Sequence, residues 1–457
     1  MFAEAFDRLP APPEPIKAEE HAERQQRLTQ QFRNTDLLIV VAPREAVRSN
    51  DVHYRFRTSS DLMYLTGWTD PEATYVLRHD GDAWRSILFV QPKDTLKELW
   101  EGRRLGTKGA VEQFAVDEAY STEERTERLI GWLGEAKRVF HRSGIDPTLD
   151  SLVLDAIERR DRKRQHFGTG PVTFEDPSPL LAELRLRKSQ AEIDHMHFSG
   201  KVASVAHELA MRHSRPGVRE NHLQSVIEGF FSYAGGEGWS YPSIVGSGEN
   251  ATILHYTVNN DECSQDDVVL IDAGSEYRGY ASDITRSWPI SGSFSEPQRE
   301  LYEVVLEAQE AAIAVCRVGE PYTAPHEAAR KVLAEGLIRL GVIEQSLDEA
   351  LDIESGDLRK WYMHNTSHWI GLDVHDVGIY KPNGEPRLLE SGMCLTVEPG
   401  LYFGAWRPDV ECPERYANIG IRIEDDVLVT EDGPVVLTQD CPKTIADIEG
   451  IVGKDWN

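Results

Sequence analysis

The chain has 457 residues, 40% of them hydrophobic, with 49 basic and 77 acidic side chains and a net charge of −28 at pH 7. This length exceeds what a single hydrophobic core usually serves, so the sequence predicts two domains. The strong negative charge argues against nucleic acid or an anionic membrane surface as the main partner.

Cysteine usage and hydropathy indicate the compartment. The five cysteines are odd in number, widely spaced and without a CxxC pair, a pattern typical of a reducing environment. The first residues, MFAEAFDRLPAPPEP, lack the regions of a signal peptide, and no stretch reaches the ~20 apolar residues of a membrane helix. We therefore predict a cytoplasmic protein.

Strand-like and helical runs alternate in the first third of the chain. Residues 1–16 are rich in proline and are expected to form an irregular arm. The stretch 165–179 carries three prolines and two glycines, so a boundary is predicted there. Between them the periodicity predicts a small α/β domain, with helices over 19–33, 122–133 and 149–164 and strands over 37–41, 73–77 and 86–90.

The remainder of the chain, from about residue 180, contains a weak internal repeat. Two pairs of predicted helices recur about one hundred residues apart, and each pair is followed by a strand-rich section. Two α-then-β halves favour a duplicated unit that closes around one site, although recurrence by chance is the alternative. The helices cover 191–213 and 297–316 with partners from 220 and 325, and the strand sections cover 243–288 and 393–437.

Two aspartates in the segment VVLIDAGSEYRGYASDITRSW point to chemistry. Asp272 follows an apolar run that reads as a buried strand, and Asp283 lies in a second strand-like run. If the runs pair as a hairpin turning at Tyr277 and Arg278, the aspartates face each other with Cβ atoms about 5 Å apart. Like charges in an apolar setting require a proton or a cation between them, and a divalent metal satisfies that need.

Two further carboxylates occupy strand-like segments nearer the C-terminus. Glu398 lies in the mostly apolar MCLTVEPGLY, where an isolated charge would be costly. In IGIRIEDDVLV the residues alternate, so Gly420, Arg422 and Glu424 share one face. Alone, this alternation indicates an amphipathic strand with a solvated face. Together with Glu398 and the aspartates it favours a functional site.

Three histidines within twelve residues, in HNTSHWIGLDVHD, supply candidate imidazoles. His364 and His368 are four apart without the glutamate of the HExxH zinc motif. His255 precedes the aspartate segment, and each of these histidines, with His375, could equally be a structural group. Four carboxylates with one imidazole form a hard ligand set for a pair of manganese, cobalt, iron or zinc ions, and manganese suits it best. Such a pair activates water and polarises a carbonyl, which predicts a hydrolase.

Several long motifs, in the same order, resemble the bacterial aminopeptidase P branch of the pita-bread metallopeptidases. The resemblance implies an α/β creatinase-like N-terminal domain over 17–175 and an α+β pita-bread catalytic domain over 180–450 with internal pseudo-duplication. It also implies metal ligation by Asp272, Asp283, His368, Glu398 and Glu424. The motifs are SSDLMYLTGWTDPEA, LWEGRRLG, YPSIVGSGENATILHYT, LIDAGSEYRGYASDITRSWPISG, SHWIGLDVHDVG, LTVEPGLY and GIRIEDD.

The resemblance further implies an Xaa-Pro aminopeptidase in which a hydroxide bridging two metal ions attacks the bond before a penultimate proline. His255, His364 and His375 are then expected to surround the substrate and to stabilise the oxyanion, while Glu398 moves the proton.

Three other residues have supporting roles by the same resemblance. Arg422 is expected to brace Glu424, Tyr241 to support the first-strand side of the site and to contact substrate, and Asp272 with its metal to hold the free amino terminus.

The expected partners are peptides with proline second and further copies of the chain, as a homodimer or homotetramer. The N-terminal module is expected to limit the cleft and to contribute subunit contacts, with Trp100 reaching a neighbouring site. The chain departs from the branch at residues 365–367, Asn-Thr-Ser in place of Gly-Leu-Ser, and in the variable loop 406–416. These departures bear on substrate length and rate and leave the expected ligands intact.

Three alternatives compete with the aminopeptidase. A prolidase shares the fold and metals but closes its cleft to a third residue. A creatinase-type enzyme has no use for a complete ligand set. A non-catalytic pita-bread binding module would be marked by the loss of ligands, whereas all five are present in the sequence.

Overall fold

The computed structural model describes residues 2–454, except for most of the side chains between positions 159 and 167. It divides into two compact units. One unit comprises Pro15–Arg185, and the other begins at Leu186 and includes the N-terminal residues up to Glu14. None of the helices in the described part of the chain is long and apolar enough to cross a membrane.

The N-terminal arm differs from the irregular segment that its prolines suggest. A short helix, α1 (Phe2–Phe6), packs on the second unit, where the Phe2 ring lies 5.6 Å from the rings of both Phe230 and Tyr233. Ala5 is fully buried in the core of that unit. The prolines that suggested irregularity all follow this helix, and its aromatic side chains gain burial only by tertiary contact.

The unit Pro15–Arg185 is a mixed six-stranded sheet with helices. Its strand order is β6-β5-β4-β1-β7-β8, in which β4 is antiparallel to both of its neighbours, β1 and β5, and the other pairs are parallel. The elements are α2 (Ala18–Thr29), β1 (Asp36–Val41), β2 (Val47–Ser49), β3 (Val52–His53), α3 (Ser60–Thr66), β4 (Thr74–His79), β5 (Trp84–Val90), α4 (Thr95–Glu101), α5 (Gly106–Gln113), β6 (Glu118–Ser121), α6 (Arg125–Glu135), β7 (Arg138–His141), α7 (Pro147–Phe167), β8 (Thr173–Glu175) and α8 (Ser178–Leu186).

The burial of strand β1, in the middle of this sheet, explains why the sequence is apolar over residues 37–41. All six residues of β1 are buried, as expected for a strand covered on both faces. Leu37, Ile39 and Val41 share a core with residues of β4, β5, α6 and α7, and each such side chain contributes about 1.5–3 kcal/mol by its burial. The stretch 165–179 contains β8, which pairs with β7, and the two units divide after Arg185.

The second unit contains two successive helix pairs, each followed by strands. The first half consists of α9 (Gln190–His213), α10 (Glu220–Tyr233), β9 (Gly238–Trp239), β10 (Ile244–Ser247), β11 (Val268–Asp272), β12 (Ser275–Tyr277), β13 (Tyr280–Ala281) and β14 (Thr285–Pro289). The second half consists of α11 (Glu296–Ala314), α12 (Ala324–Arg339), α13 (Leu347–Ala350), β15 (Cys394–Val397), β16 (Gly400–Phe403), β17 (Ile419–Arg422), β18 (Asp425–Thr430), β19 (Gly433–Val436) and α14 (Ile445–Ile451).

The long helix of each half begins with a capping box, Ser189 with Glu192 on α9 and Ser295 with Gln298 on α11. In such a box each side chain satisfies a backbone N–H of the first turn, which starts the helix at a defined residue.

The strands form small antiparallel sheets, β10-β11-β14 and β13-β12-β9 in the first half and β15-β18-β19 and β16-β17 in the second. The α-then-β order thus occurs twice.

The aspartate hairpin has a different register from the one expected. Tyr277 pairs with Tyr280, so the turn consists of Arg278 and Gly279, and Asp272 faces Thr285 instead of Asp283. Both turn residues have positive φ, 50° and 80°, as a two-residue type I′ turn requires. Glycine adopts this conformation without strain, which explains why the turn centres one residue later than expected.

Candidate metal centre

Asp272 and Asp283 meet on one face of the first-half sheet. Asp272 ends β11 opposite Thr285 of β14, and Asp283 precedes that partner by two residues. Side chains two residues apart along a strand share a face, so the aspartates are diagonal neighbours instead of a directly opposed pair. The hydroxyl of Tyr241 lies within hydrogen-bonding distance of Oδ1 of both aspartates. The two carboxylates therefore converge despite the shifted register.

His368 and Glu398 meet by the same geometry in the second half. The segment that carries His368 runs beside β15, because Thr396 N donates to His368 O and Glu398 N donates to Thr366 O. Glu398 is thus the diagonal neighbour of His368. His368 Nε2 lies 3.6 Å from Glu398 Oε1 and 3.3 Å from Asp283 Oδ2, which joins the two halves.

Glu424 enters the cluster from the turn between β17 and β18. Its backbone N–H donates to Thr285 O, and its Oε2 accepts a 2.6 Å hydrogen bond from the Thr285 hydroxyl. Arg422, two residues earlier on the same face, donates from Nη2 to Asp272 Oδ2 at 2.6 Å and from Nε to Thr285 Oγ1 at 3.0 Å. The alternating segment is buried on both faces, with Arg422 only 3% exposed, so neither of its faces is solvated.

Burial and mutual repulsion make the carboxylate cluster resist ionisation. Burial raises the pKa of Glu424 far above its usual range, and the charges of Asp283 and Glu398 add to the effect. Burial likewise raises the pKa of Glu398 to about 8 and that of Asp272 above its ordinary value, although Arg422 opposes both shifts. Without a cation, such a cluster keeps protons at neutral pH.

His368 and Asp283 form a charge pair that stabilises the ionised state of both groups. Burial alone would lower the pKa of His368, but its hydrogen bond with Asp283 and the charge of Glu398 raise it to about 9. For Asp283, burial is outweighed by His368 and Tyr241, so its pKa lies below the ordinary value.

The donor set fits divalent cations. Asp283, His368 and Glu424 each offer one ligand atom, and these atoms lie within 4.8 Å of one another. Asp272 and Glu398 adjoin the same group through Tyr241 and His368, so four carboxylates and one imidazole share a buried space. Oxygen-rich sets with one imidazole are typical ligands of manganese, cobalt, iron and zinc.

The other three candidate histidines lie around this cluster. His364 Nε2 contacts the Tyr402 hydroxyl at 2.8 Å, and burial with the nearby Arg422 charge lowers the pKa of His364 to about 3, so it is neutral. His375 is exposed, and its ring lies edge-to-face on the His368 ring with centroids 4.4 Å apart. His255 is also exposed, and its charge contributes to lowering the pKa values of both His364 and His375.

Two residues in the cluster were not singled out from the sequence. Tyr402 accepts a 2.9 Å hydrogen bond from Arg422 Nη1 and contacts His364, and Thr285 joins Arg422 to Glu424. Both lie inside the quoted motifs, DITRSW and LTVEPGLY. Only pairing across the sheet distinguishes them from neighbouring strand residues, because a hydroxyl in a strand has no specific sequence signal.

Comparison with known proteins agrees with this arrangement. Residues 194–431 match the profile of metallopeptidase family M24, and residues 21–140 match that of the aminopeptidase P N-terminal domain. The Xaa-Pro aminopeptidase of Escherichia coli is 41% identical, with 96% of this chain and 98% of that protein aligned. Human Xaa-Pro aminopeptidase 3 is 35% identical over 91% of this chain and 81% of its own length.

Solved structures are similar along nearly the whole chain. Pseudomonas aeruginosa aminopeptidase PepP superposes with a TM-score of 0.91 at 39% identity, covering 95% of this chain and 98% of that one. Zinc-substituted E. coli aminopeptidase P in complex with product gives 0.90 at 40% identity, covering 96% and 98%. The expected architecture, a creatinase-like N-terminal domain followed by a pita-bread catalytic domain, is confirmed. The chain belongs to metallopeptidase family M24.

Proposed function

We propose that the protein is a dinuclear-metal aminopeptidase that hydrolyses the bond between an N-terminal residue and a following proline. The proposal rests on one observation, that five potential metal ligands form a buried cluster: Asp272, Asp283, His368, Glu398 and Glu424. The similarity to Xaa-Pro aminopeptidases along both domains supports the substrate class.

Asp272, Asp283, His368, Glu398 and Glu424 would hold two divalent ions, with manganese proposed as the metal because carboxylates dominate the set. When bound, the ions lower the pKa of a water molecule and polarise the scissile carbonyl. Glu398, which lies 3.6 Å from His368 within the cluster, would accept a proton from the water and return it to the leaving proline nitrogen.

The surrounding side chains would position the substrate. The exposed imidazoles of His255 and His375 can donate to the carbonyl oxygen as it gains charge, and neutral His364, held by Asn365 O and the Tyr402 hydroxyl, would line the substrate beside them. Arg422 neutralises Asp272 and, through Thr285, orients Glu424. Tyr241 holds Asp272 and Asp283 together at the end where the free amino terminus would bind.

We further propose a homo-oligomer, in which helix α4 contributes to a subunit contact. Leu96, Leu99 and Trp100 are exposed on this helix, and Trp100 is 89% accessible. Exposed aromatic and aliphatic side chains grouped on one short helix are typical of an interaction surface.

A cytoplasmic location is proposed because all five cysteines are free thiols, as in a reducing compartment.

The proposed activity is tested by incubating the purified protein, reconstituted with Mn²⁺, with Gly-Pro and with Gly-Pro-Ala, and measuring the glycine that is released. A chelator-treated sample is the control. Release from the tripeptide that requires the metal supports the aminopeptidase.

Two other outcomes identify the competing functions. Cleavage confined to the dipeptide indicates a prolidase, whose cleft excludes a third residue. Failure on both peptides with metal bound contradicts the proposed hydrolysis and favours a non-catalytic binding module.

A further inference from the structure

A buried ion pair forms between the residue just before α9 and the end of the histidine-containing segment 364–376, and it has no part in the proposed chemistry. Lys188, which precedes α9, places Nζ 3.0 Å from Asp376 Oδ2, and both side chains are 1% exposed. Lys188 Nζ also donates to Leu186 O, and its backbone N–H donates to Gly392 O. Burying two charges is costly unless each is well paired, so a buried pair at this position requires a reason.

Asp376 ends a compact turn, residues 369–376, from which the exposed His375 side chain projects. Its backbone N–H donates to Trp369 O, and inside the loop Gly371 N donates to Asp373 O. The carboxylate lies under Gly371, where an added Cβ would come within 2.3 Å of Asp376 Oδ2 and 2.8 Å of Lys188 Cε. The turn thus encloses the ion pair without spare space.

The same turn sets the position of His375. That residue has an exposed side chain, and it immediately precedes the anchored Asp376. Its ring contacts His368 edge-to-face at 4.4 Å, so a small movement of the backbone would change where its nitrogens point. Anchoring the adjacent Asp376 restrains the backbone from which this imidazole projects.

We propose that Lys188 and Asp376 are positioning residues that hold His375 in its productive place. The ion pair acts through the backbone of the turn and touches neither substrate nor metal. This inference rests on the role proposed for His375 in stabilising the oxyanion. Partners that orient a reacting group typically change activity by about 10- to 100-fold when removed.

The test is a double-mutant cycle in the full-length enzyme between Lys188→Met and His375→Ala, assayed on Gly-Pro-Ala with Mn²⁺. Lys188→Met should lower kcat by about 10-fold or more, leave KM within about twofold and add no further loss in the His375→Ala background. Metal content should stay at the wild-type value, because the ligand His368 is held separately by β15.

The preceding residue provides a matched control. Arg187 forms an ion pair with Glu390, but both side chains are about half exposed, at 40% and 46%. Arg187→Met removes the same charge from the same segment and should keep wild-type kcat. If Lys188→Met does not fold, Asp376→Asn, which preserves shape and a hydrogen-bond acceptor, replaces it in the cycle.

Three results would overturn the inference. Wild-type kcat for the Lys188 or Asp376 variant, while His375→Ala is impaired, removes the positioning role and leaves the proposed function intact. If the two losses in kcat multiply in the double mutant, the ion pair acts independently of His375. Wild-type kcat for His375→Ala removes the proposed role of His375 itself.

Discussion

At the scale of single residues, the candidate centre combines charges that each disfavour burial. Burial raises the pKa values of Asp272, Glu398 and Glu424, and only Arg422 and His368 supply compensating positive charge. Such a cluster costs stability in the metal-free protein and gains it on binding cations. The chemistry of the site and its instability therefore have the same origin.

The ligand assignment predicts the effect of Asp283→Ala and Glu424→Ala. Each variant should bind at least one metal equivalent fewer and lose activity by more than about 100-fold, since removing a group that merely hydrogen-bonds to a metal ligand already costs about 10- to 100-fold. The metal-free fold should persist in Glu424→Ala because like-charge repulsion is relieved, whereas Asp283→Ala also removes the partner of His368 and should be the less stable of the two. Elemental analysis with a peptidase assay checks this, and Glu431→Ala, in an exposed turn, is the matched control. Two full equivalents with wild-type turnover would contradict the assignment.

A second prediction concerns His207, a fully buried residue of α9. Burial lowers its pKa to about 4, so the fold holds it neutral while the unfolded chain, with a pKa near 6.5, gains a proton. Its contribution to stability is complete above about pH 6.5 and is lost as the pH falls through 4, a change of about 3 kcal/mol.

Chemical denaturation at several pH values between 7 and 4 measures this dependence. His207→Gln should flatten the acid limb of the free energy of unfolding, whatever its effect on stability at pH 7. His222→Gln, at an exposed position on α10, should retain the wild-type slope. An unchanged slope in His207→Gln would show that other groups cause the acid limb.

At the scale of elements, the two halves of the second unit bring their candidate metal ligands together with the same strand geometry. In each half, a residue on one strand meets the diagonal neighbour on an adjacent segment, Asp272 with Asp283 and His368 with Glu398. The sequence predicted the four long helices and the two strand sections of this unit, because periodicity is local. It did not predict the register, which depends on a turn whose residues, Arg278 and Gly279, both need positive φ.

The close crossing at Gly274 yields a prediction about this hairpin. An added Cβ would come within 1.7 Å of Ser282 O and 2.8 Å of Ser240 Oγ, so Gly274→Ala must push the strands apart. We expect a loss of about 3 kcal/mol or more in stability, at or above the upper end for overpacking, and reduced metal binding.

Thermal unfolding and elemental analysis measure both effects. Gly450→Ala is the control, because that glycine lies in α14 with no atom near the added Cβ, so the change should be neutral or slightly stabilising. A Gly274→Ala protein with wild-type melting temperature would contradict the close crossing.

At the scale of the whole molecule, net charge and exposed apolar surface together govern assembly. A chain with a net charge of −28 repels its own copies, so any association needs apolar contact to outweigh that repulsion. Helix α4 has no buried residue and exposes Leu96, Leu99 and Trp100. These side chains are the ones expected to lose exposure in an oligomer.

Trp100→Glu together with Leu99→Glu should therefore shift the protein to a smaller species. Light scattering after size exclusion, over a range of concentrations, measures the mass. Leu154→Glu changes another exposed leucine, on α7, and should leave the mass unchanged. The wild-type mass in the α4 variant would exclude this helix from the subunit contact.

The sequence by itself determined the long helices, the strand sections, the repeated α-then-β order and the family, because these follow from local periodicity and from long motifs in order. Tertiary structure alone decided that Asp272 faces Thr285, that the arm around Ala5 packs as a helix and that Lys188 is buried against Asp376. The physical reason is sequence distance. Propensity and patterning act within a few residues, whereas the pairing of Lys188 with Asp376 depends on how separately folded segments fill one core.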